Sequence, residues 1–546
     1  MARRHKVHPV TTETSHRPRA KRFAAAIAAL VVCAGLTACQ DDPDIKASPA
    51  TASASATIPA GLESFYTQKA SWYNCAKKGM DEVKSGEDTG FTCAKIKVPL
   101  DYDNPGGETI EIAVKKRAAN DDSVGSLFIN PGGPGGSGIE LVENVGSYFS
   151  KNLLGSYDVV GFDPRGVGAS TPIDCLTDAE LDAERAGAND PATPSATATI
   201  ERAQKMNASC ESKTGTPGLL DHIDTISAAR DLDILRAVDG QQTLTYLGFS
   251  YGTYLGATYA ELFPANTGRL VLDGAVDPSL SAEDMSLGQA KGFEASLRAY
   301  VESCQSSKLG CPLSGDVDSG VSQVREFLES TKTAPLPTSD SQRPLTYDLA
   351  LYGVLGSMYQ TQLWSSLNLA LSKAMGDLGD PDGSLLLAIA DTVSHRESDG
   401  SYYGNTAEAL MPVNCLDYPV QGDNASWEQN ATAVKEASPT FSAQLLYPDA
   451  YCQGWSHESS RKREKITASG AAPILVVGTT GDPATPYEWS MALAGQLESG
   501  QLLTWEGNGH TAYANPAHGP CVTSAVDTYL LTGAMPKKGL TCHGQE

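Results

Sequence analysis

Gly248-Phe249-Ser250-Tyr251-Gly252 follows the apolar run Leu244-Thr245-Tyr246-Leu247 and precedes a helix-competent segment at 253–263. A strand that turns abruptly into a helix around G-x-S-x-G lifts its serine into the open, because the flanking glycines permit the tight turn. One such pentapeptide in a chain with 52 glycines is a weak signal by itself; the strand before it and the helix after it give it meaning. A serine hydroxyl is a poor nucleophile at neutral pH, so Ser250 needs an imidazole to take its proton and a carboxylate to orient that imidazole.

Outward from this point, strand-like runs at 92–99, 109–117, 126–130, 157–162, 269–272, 473–478 and 501–505 alternate with helical patterns. That alternation implies a largely parallel sheet with crossover helices. The stretch between the strands near 273 and 473 exceeds any ordinary connection and is read as an inserted domain, with helical patterns at 282–302, 317–331 and 345–375. No internal repeat is present.

The base should lie after the last strand. Among His222, His395, His457, His510, His518 and His543, only His510 stands directly after it, in Gly507-Asn508-Gly509-His510-Thr511; His518 and His543 read as surface residues. For the acid, Asp482 follows the strand near 478 in Thr479-Thr480-Gly481-Asp482-Pro483, at the carboxyl end where open α/β sheets place their sites. Its rival is Asp273, in an Asp-Gly pair that also reads as a plain turn. An oxyanion hole needs two backbone N–H groups. Tyr251 supplies one, and the glycine loop Asn130-Pro131-Gly132-Gly133-Pro134-Gly135-Gly136-Ser137-Gly138 supplies the other from Gly133, with Gly132 as the alternative. A phosphate-binding loop is excluded, since G-x-x-x-x-G-K-[ST] and its lysine are absent.

The 41 Lys and Arg residues against 65 Asp and Glu give a formal charge of −24, which argues against nucleic acid as a partner. Residues 1–22 hold seven of the basic residues and one acid, Glu13, and an apolar run at 23–38 follows, read as a signal-peptide core. It ends Leu36-Thr37-Ala38-Cys39, which resembles a bacterial lipobox, so Cys39 is expected to carry lipid. Cleavage there removes seven positive charges and one negative and takes the charge from −24 to −30. The low-complexity stretch at 47–60 is read as a flexible tether. Of the 12 cysteines, Cys33 falls in the signal and Cys39 takes the lipid. The remaining ten, an even number in an exported chain, favour disulfides over metal sites, with many connectivities open. No C-x-x-C occurs and no histidine stands at zinc-ligand spacing, so neither metal nor cofactor is expected.

Several motifs in order carry a resemblance: NPGGPGGSG at 130–138, GFDPRGVGAS at 161–170, GFSYGTYLG at 248–256, LDGAVDP at 272–278, GDPATP at 481–486 and GNGHT at 507–511. Over about residues 70–543 the chain resembles the actinobacterial tripeptidyl aminopeptidases, secreted serine exopeptidases related to the prolyl aminopeptidases of the α/β-hydrolase fold. The resemblance implies Ser250, Asp482 and His510 as the triad, and the inserted stretch is read as a large, mainly helical cap. Pro131 stands where the prolyl aminopeptidases carry a histidine, as in the tripeptidyl branch. Asp163 and Arg165 are expected to form a structural ion pair.

The expected division is a signal at 1–38, the anchor and tether at 39–65, core at 66–278, cap at 279–471 and core at 472–546, in a monomer at the outer face of the membrane or secreted. Counting residues from a free N-terminus requires a carboxylate for the substrate ammonium. Asp417, beside Cys415 in the insertion, is the candidate. Two other functions use the same sequence: a carboxylesterase with the same triad, and a non-catalytic surface-binding lipoprotein on a hydrolase fold.

Overall fold

A computed structural model of the chain describes residues 46–50, 58–84, 86–188, 193–307, 310–458, 463–513, 515 and 518–544. The expected signal at 1–38, Cys39 and the stretch 51–57 of the expected tether lie outside the described residues.

The strands are β1 (Tyr73–Asn74), β2 (Phe91–Pro99), β3 (Thr109–Arg117), β4 (Ser126–Asn130), β5 (Asp158–Phe162), β6 (Leu244–Phe249), β7 (Thr267–Asp273), β8 (Ile474–Gly481), β9 (Gly500–Asn508) and β10 (Thr541–His543). Among the described residues they form one ten-stranded sheet in the order β1-β2-β3-β5-β4-β6-β7-β8-β9-β10. The pairings β1/β2, β2/β3 and β3/β5 are antiparallel and all others parallel. Its centre is buried on both faces, Phe128, Val160, Tyr246, Leu270, Leu272 and Val476 packing on one side and Leu127, Ile129, Leu247, Val271, Leu475 and Val477 on the other. This is why these strands read as continuous apolar runs.

The edge strands β1 and β10 are too short to carry a pattern, and disulfides hold them. Cys75–Cys93 joins the end of β1 to β2, and Cys521–Cys542 joins β10 to the helix Pro520–Thr532. Cys175–Cys210, Cys304–Cys311 and Cys415–Cys452 complete the five described bridges, so sequence neighbours pair throughout. Such use of cysteine belongs to an oxidising compartment.

Between β7 and β8 the described chain is helical, from Ala282–Ser306 to Pro448–Trp455. Its first half builds a core of its own around Phe293, Leu297, Val324, Leu351, Leu367 and Leu386. Its second half is divided: Ala409, Val413, Leu416 and Trp455 join the core of the sheet, Trp427, Ala431, Tyr447 and Ala450 cluster with Ala196, and Phe441 joins the core of the first half. The helical pattern at 345–375 is broken into Tyr347–Ser357 and Trp364–Ala374 by a turn at 358–363. The helix before the turn packs closely, since a Cβ at Gly356 would lie 2.8 Å from Val393 Cγ2.

The tether reading is corrected at both of its described ends. Ser48 N–H donates to Leu531 O (2.9 Å), and Arg269 Nη1 donates to Ser48 O (2.8 Å) and Leu530 O (2.8 Å), so the segment is latched to the body. Leu62, Phe65 and Tyr66 are buried, and Tyr66 Oη donates to Asp233 Oδ2 (2.7 Å). Apolar side chains at 62, 65 and 66 are enough to seat this end of the segment on the core.

Candidate active site

β6 ends at Phe249 and the helix Tyr251–Leu262 begins two residues later, leaving Ser250 alone at the bend with φ 56° and ψ −125°. A left-handed backbone at a non-glycine residue costs about 1–3 kcal/mol and persists only where its surroundings enforce it. Ser250 N–H donates to Asp273 O (2.9 Å), and Ser250 O accepts from Thr253 N (2.9 Å) and Thr253 Oγ1 (2.6 Å). A Cβ at Gly248 would lie 2.4 Å from Gly252 O, and one at Gly252 2.8 Å from Asn130 O, so the pentapeptide needs both its glycines.

Asp482 follows β8 directly and is fully enclosed. Its Oδ1 accepts from Ala484 N (3.0 Å) and Thr485 N (2.9 Å), and its Oδ2 from Thr511 N (3.1 Å). His510, after β9, points Nδ1 at this carboxylate, 2.8 Å from Oδ1 and 3.0 Å from Oδ2, which fixes the tautomer with the proton on Nδ1. Thr485 Oγ1 stands 3.3 Å from the same nitrogen. Burial pulls the imidazole pKa down, but the charge and hydrogen bond of Asp482 and the charge of Asp273 outweigh it, and the net shift is upward from the ordinary 6.5. Among the described residues Ser250 Oγ has no hydrogen bond to the ring. Such contacts are commonly loose in sites without substrate.

Tyr359, from the turn that interrupts the helical pattern, carries no motif by which sequence reasoning could have found it. Its carbonyl accepts from His510 N (2.7 Å), and its ring meets the imidazole edge-on at 5.3 Å. The insertion thus holds the histidine from above while the sheet loops hold it from below.

The glycine loop lies on the elbow: a Cβ at Gly132 would fall 2.9 Å from Ser250 Cβ and 3.0 Å from Tyr251 N. Gly132 N–H donates to Asn130 Oδ1 (3.0 Å). Tyr251 opens its helix, where N–H groups have no intrahelical acceptor. Thr406 Oγ1 donates to Gly135 O (2.9 Å), and Ser137 caps the helix Gly138–Asn144.

The expected pair of Asp163 with Arg165 is not formed. Asp163 accepts from Ser137 Oγ (2.6 Å), Ile139 N (3.2 Å) and Ala169 N (2.8 Å) and so steadies the glycine loop; burial pushes its carboxyl up to about 6. Arg165 makes two 2.7 Å bonds to Asp231 instead, and donates to Pro99 O, Leu100 O and His222 O. Each side chain is committed to partners of its own, which is why the two do not pair.

Asp417 is also corrected. The disulfide Cys415–Cys452 does fix the end of its helix, Thr406–Asp417, but the carboxylate is 1% exposed and accepts from Thr225 N (2.9 Å) and Thr225 Oγ1 (2.5 Å). It serves the first residue of the helix Thr225–Val238 and is not placed to meet a substrate ammonium.

A serine at a strand-to-helix elbow, an oxyanion loop above it and a carboxylate-held histidine after the next-to-last strand are the parts of a serine hydrolase of the α/β-hydrolase fold. Comparison with known proteins agrees: the family described as alpha/beta hydrolase fold matches residues 125–316, and that described as TAP-like protein matches residues 438–542. The chain is 37% identical to the serine protease Hip1 of Mycobacterium tuberculosis over 83% of its own length and 87% of that protein. It is 34% identical to a mycobacterial protein named carboxylesterase B (86% and 89%) and 31% identical to the tripeptidyl aminopeptidase of Streptomyces lividans (82% and 83%). The chain belongs to the tripeptidyl aminopeptidase-like family of α/β-hydrolase serine peptidases.

Proposed function

We propose that this peptidase is exported, anchored by lipid on Cys39, and releases tripeptides or other short peptides from free N-termini through an acyl-enzyme on Ser250. The observation that carries the catalytic part is the carboxylate-held His510 on the loop after β9, in a chain whose relatives include tripeptidyl aminopeptidases. Ser250 attacks the carbonyl as His510 takes its proton; His510 then protonates the leaving amine and activates water for deacylation. Asp482 stays ionised, and Tyr251 N–H and Gly133 N–H meet the oxyanion. The described disulfides support export.

Digestion of a peptide library with mass-spectrometric readout tests product length and N-terminal dependence together. Tripeptides released from free but not acetylated N-termini are expected; internal cleavage regardless of the terminus overturns the exopeptidase reading. A relative named carboxylesterase B keeps an esterase reading in view, and faster turnover of short acyl esters than of tripeptide p-nitroanilides would select it. Incorporation of labelled palmitate, lost in Cys39→Ser, tests the anchor.

The base must be neutral to act, so kcat/KM is expected to rise with pH through a midpoint above 6.5, the direction in which Asp482 and Asp273 shift His510. Asp482→Asn removes one of those charges and the tautomer lock; kcat should fall by about 10⁴-fold and the midpoint should move down. An unchanged midpoint in this variant would remove Asp482 from the assignment.

A further inference from the structure

Asp273 is the carboxylate that the triad leaves over. It ends β7, is fully buried, and has neighbours on both sides of the reaction. Its main-chain carbonyl accepts from Ser250 N (2.9 Å). Its carboxylate accepts from Ala512 N (3.0 Å to each oxygen) and, through Oδ2, from Tyr513 N (2.7 Å). Gly274, next in the chain, donates its N–H to Val477 O (3.0 Å) on β8, and a Cβ there would lie 3.0 Å from Thr511 Cγ2 and 3.4 Å from Asp482 Oδ2. The His510 ring is bonded through Nδ1 to Asp482 and not to Asp273.

We infer that Asp273 is a positioning residue that ties the nucleophile elbow to the base loop, its carbonyl holding Ser250 and its carboxylate holding the backbone that follows His510 and Thr511. The inference rests on the reading of Ser250 and His510 as nucleophile and base. A carboxylate suits this place because it only accepts: its two oxygens take up N–H groups that would otherwise be buried without partners. Burial and Asp482 push Asp273 up, to about 7, against the Tyr513 and Ala512 N–H bonds and the His510 charge, which favour its ionised form. Tyr513, the other titratable group beside it, gives its hydroxyl proton to Asp527 (2.8 Å). Misplacing a base by about 1 Å costs on the order of 100-fold in rate, so a residue that never touches substrate can control the reaction through this loop.

The test is the rate of serine labelling by a fluorophosphonate, with kcat and KM for an activated ester, in Asp273→Ala and Asp273→Asn, each in the wild-type and His510→Ala backgrounds. In the wild-type background Asp273→Ala should lose about 100-fold in labelling rate and kcat with KM within about twofold. Asn can keep one oxygen at the Oδ2 position and retain two of the N–H bonds, so Asp273→Asn should recover about tenfold of that loss. In the His510→Ala background neither substitution should cost more than about twofold, because the carboxylate acts through His510. Equal losses in both backgrounds, or no loss in Asp273→Ala, would overturn the inference. Should Asp273→Ala not fold, the Asp273→Asn pair alone decides it by the same comparison. Wild-type protein that resists labelling would instead remove the reading of Ser250 as nucleophile, and a labelled protein that cleaves no peptide would count against the peptidase reading alone.

Discussion

Ser250→Ala is expected to abolish fluorophosphonate labelling and to lower kcat by about 10⁴ to 10⁶-fold while leaving KM near its wild-type value. The size follows from chemistry: without Oγ no acyl-enzyme forms, and only the oxyanion donors and substrate binding remain to accelerate attack by water. The fold should be untouched. Alanine keeps the Cβ that Ser250 already places at φ 56°, and the bonds that hold the bend run through Ser250 N and O, which alanine retains. A thermal midpoint equal to that of the wild type together with residual turnover above about one hundredth would show that another residue carries the nucleophile.

Arg165→Met should give the largest loss of stability, about 3–5 kcal/mol. Arg165 and Asp231 are both within 2% of complete burial, so removal of the guanidinium leaves a carboxylate in the core with, among the described residues, Tyr102 Oη (2.7 Å) as its remaining side-chain donor. Burial already drives the Asp231 pKa up, with Arg165 opposing it; in Arg165→Met that carboxyl should take up a proton on folding. Folded-state pKa above the unfolded value means the loss is smaller at acid pH and grows as pH rises through the unfolded carboxylate range. The double variant Arg165→Met/Asp231→Leu should regain part of the loss in urea denaturation. A single variant within 1 kcal/mol of wild type would show that the pair contributes no more than a surface bridge.

The elements legible in the sequence were those whose signal is local. G-x-S-x-G between an apolar run and a helical one located the elbow, and Asp482 and His510 stood in turns that end strands. What could not be read was the choice of a distant partner. Arg165 had an acid two residues away and bonded one on the helix Thr225–Val238; Asp417 sat beside a disulfide as expected but turned inward to Thr225. Tyr359 reaches His510 from the break at 358–363, where a single continuous helix was expected. Docking of 46–50 is set by Arg269, which lies in β7, far along the chain.

That last contact gives the molecule a front and a back. Arg269 and Asp273 lie on the same strand, four residues or about 13 Å apart, with the latch toward its start and the nucleophile beside its end. The described segment 46–50 is therefore held at the opposite end of β7 from the nucleophile, so substitutions that loosen the latch leave the working end of the strand alone.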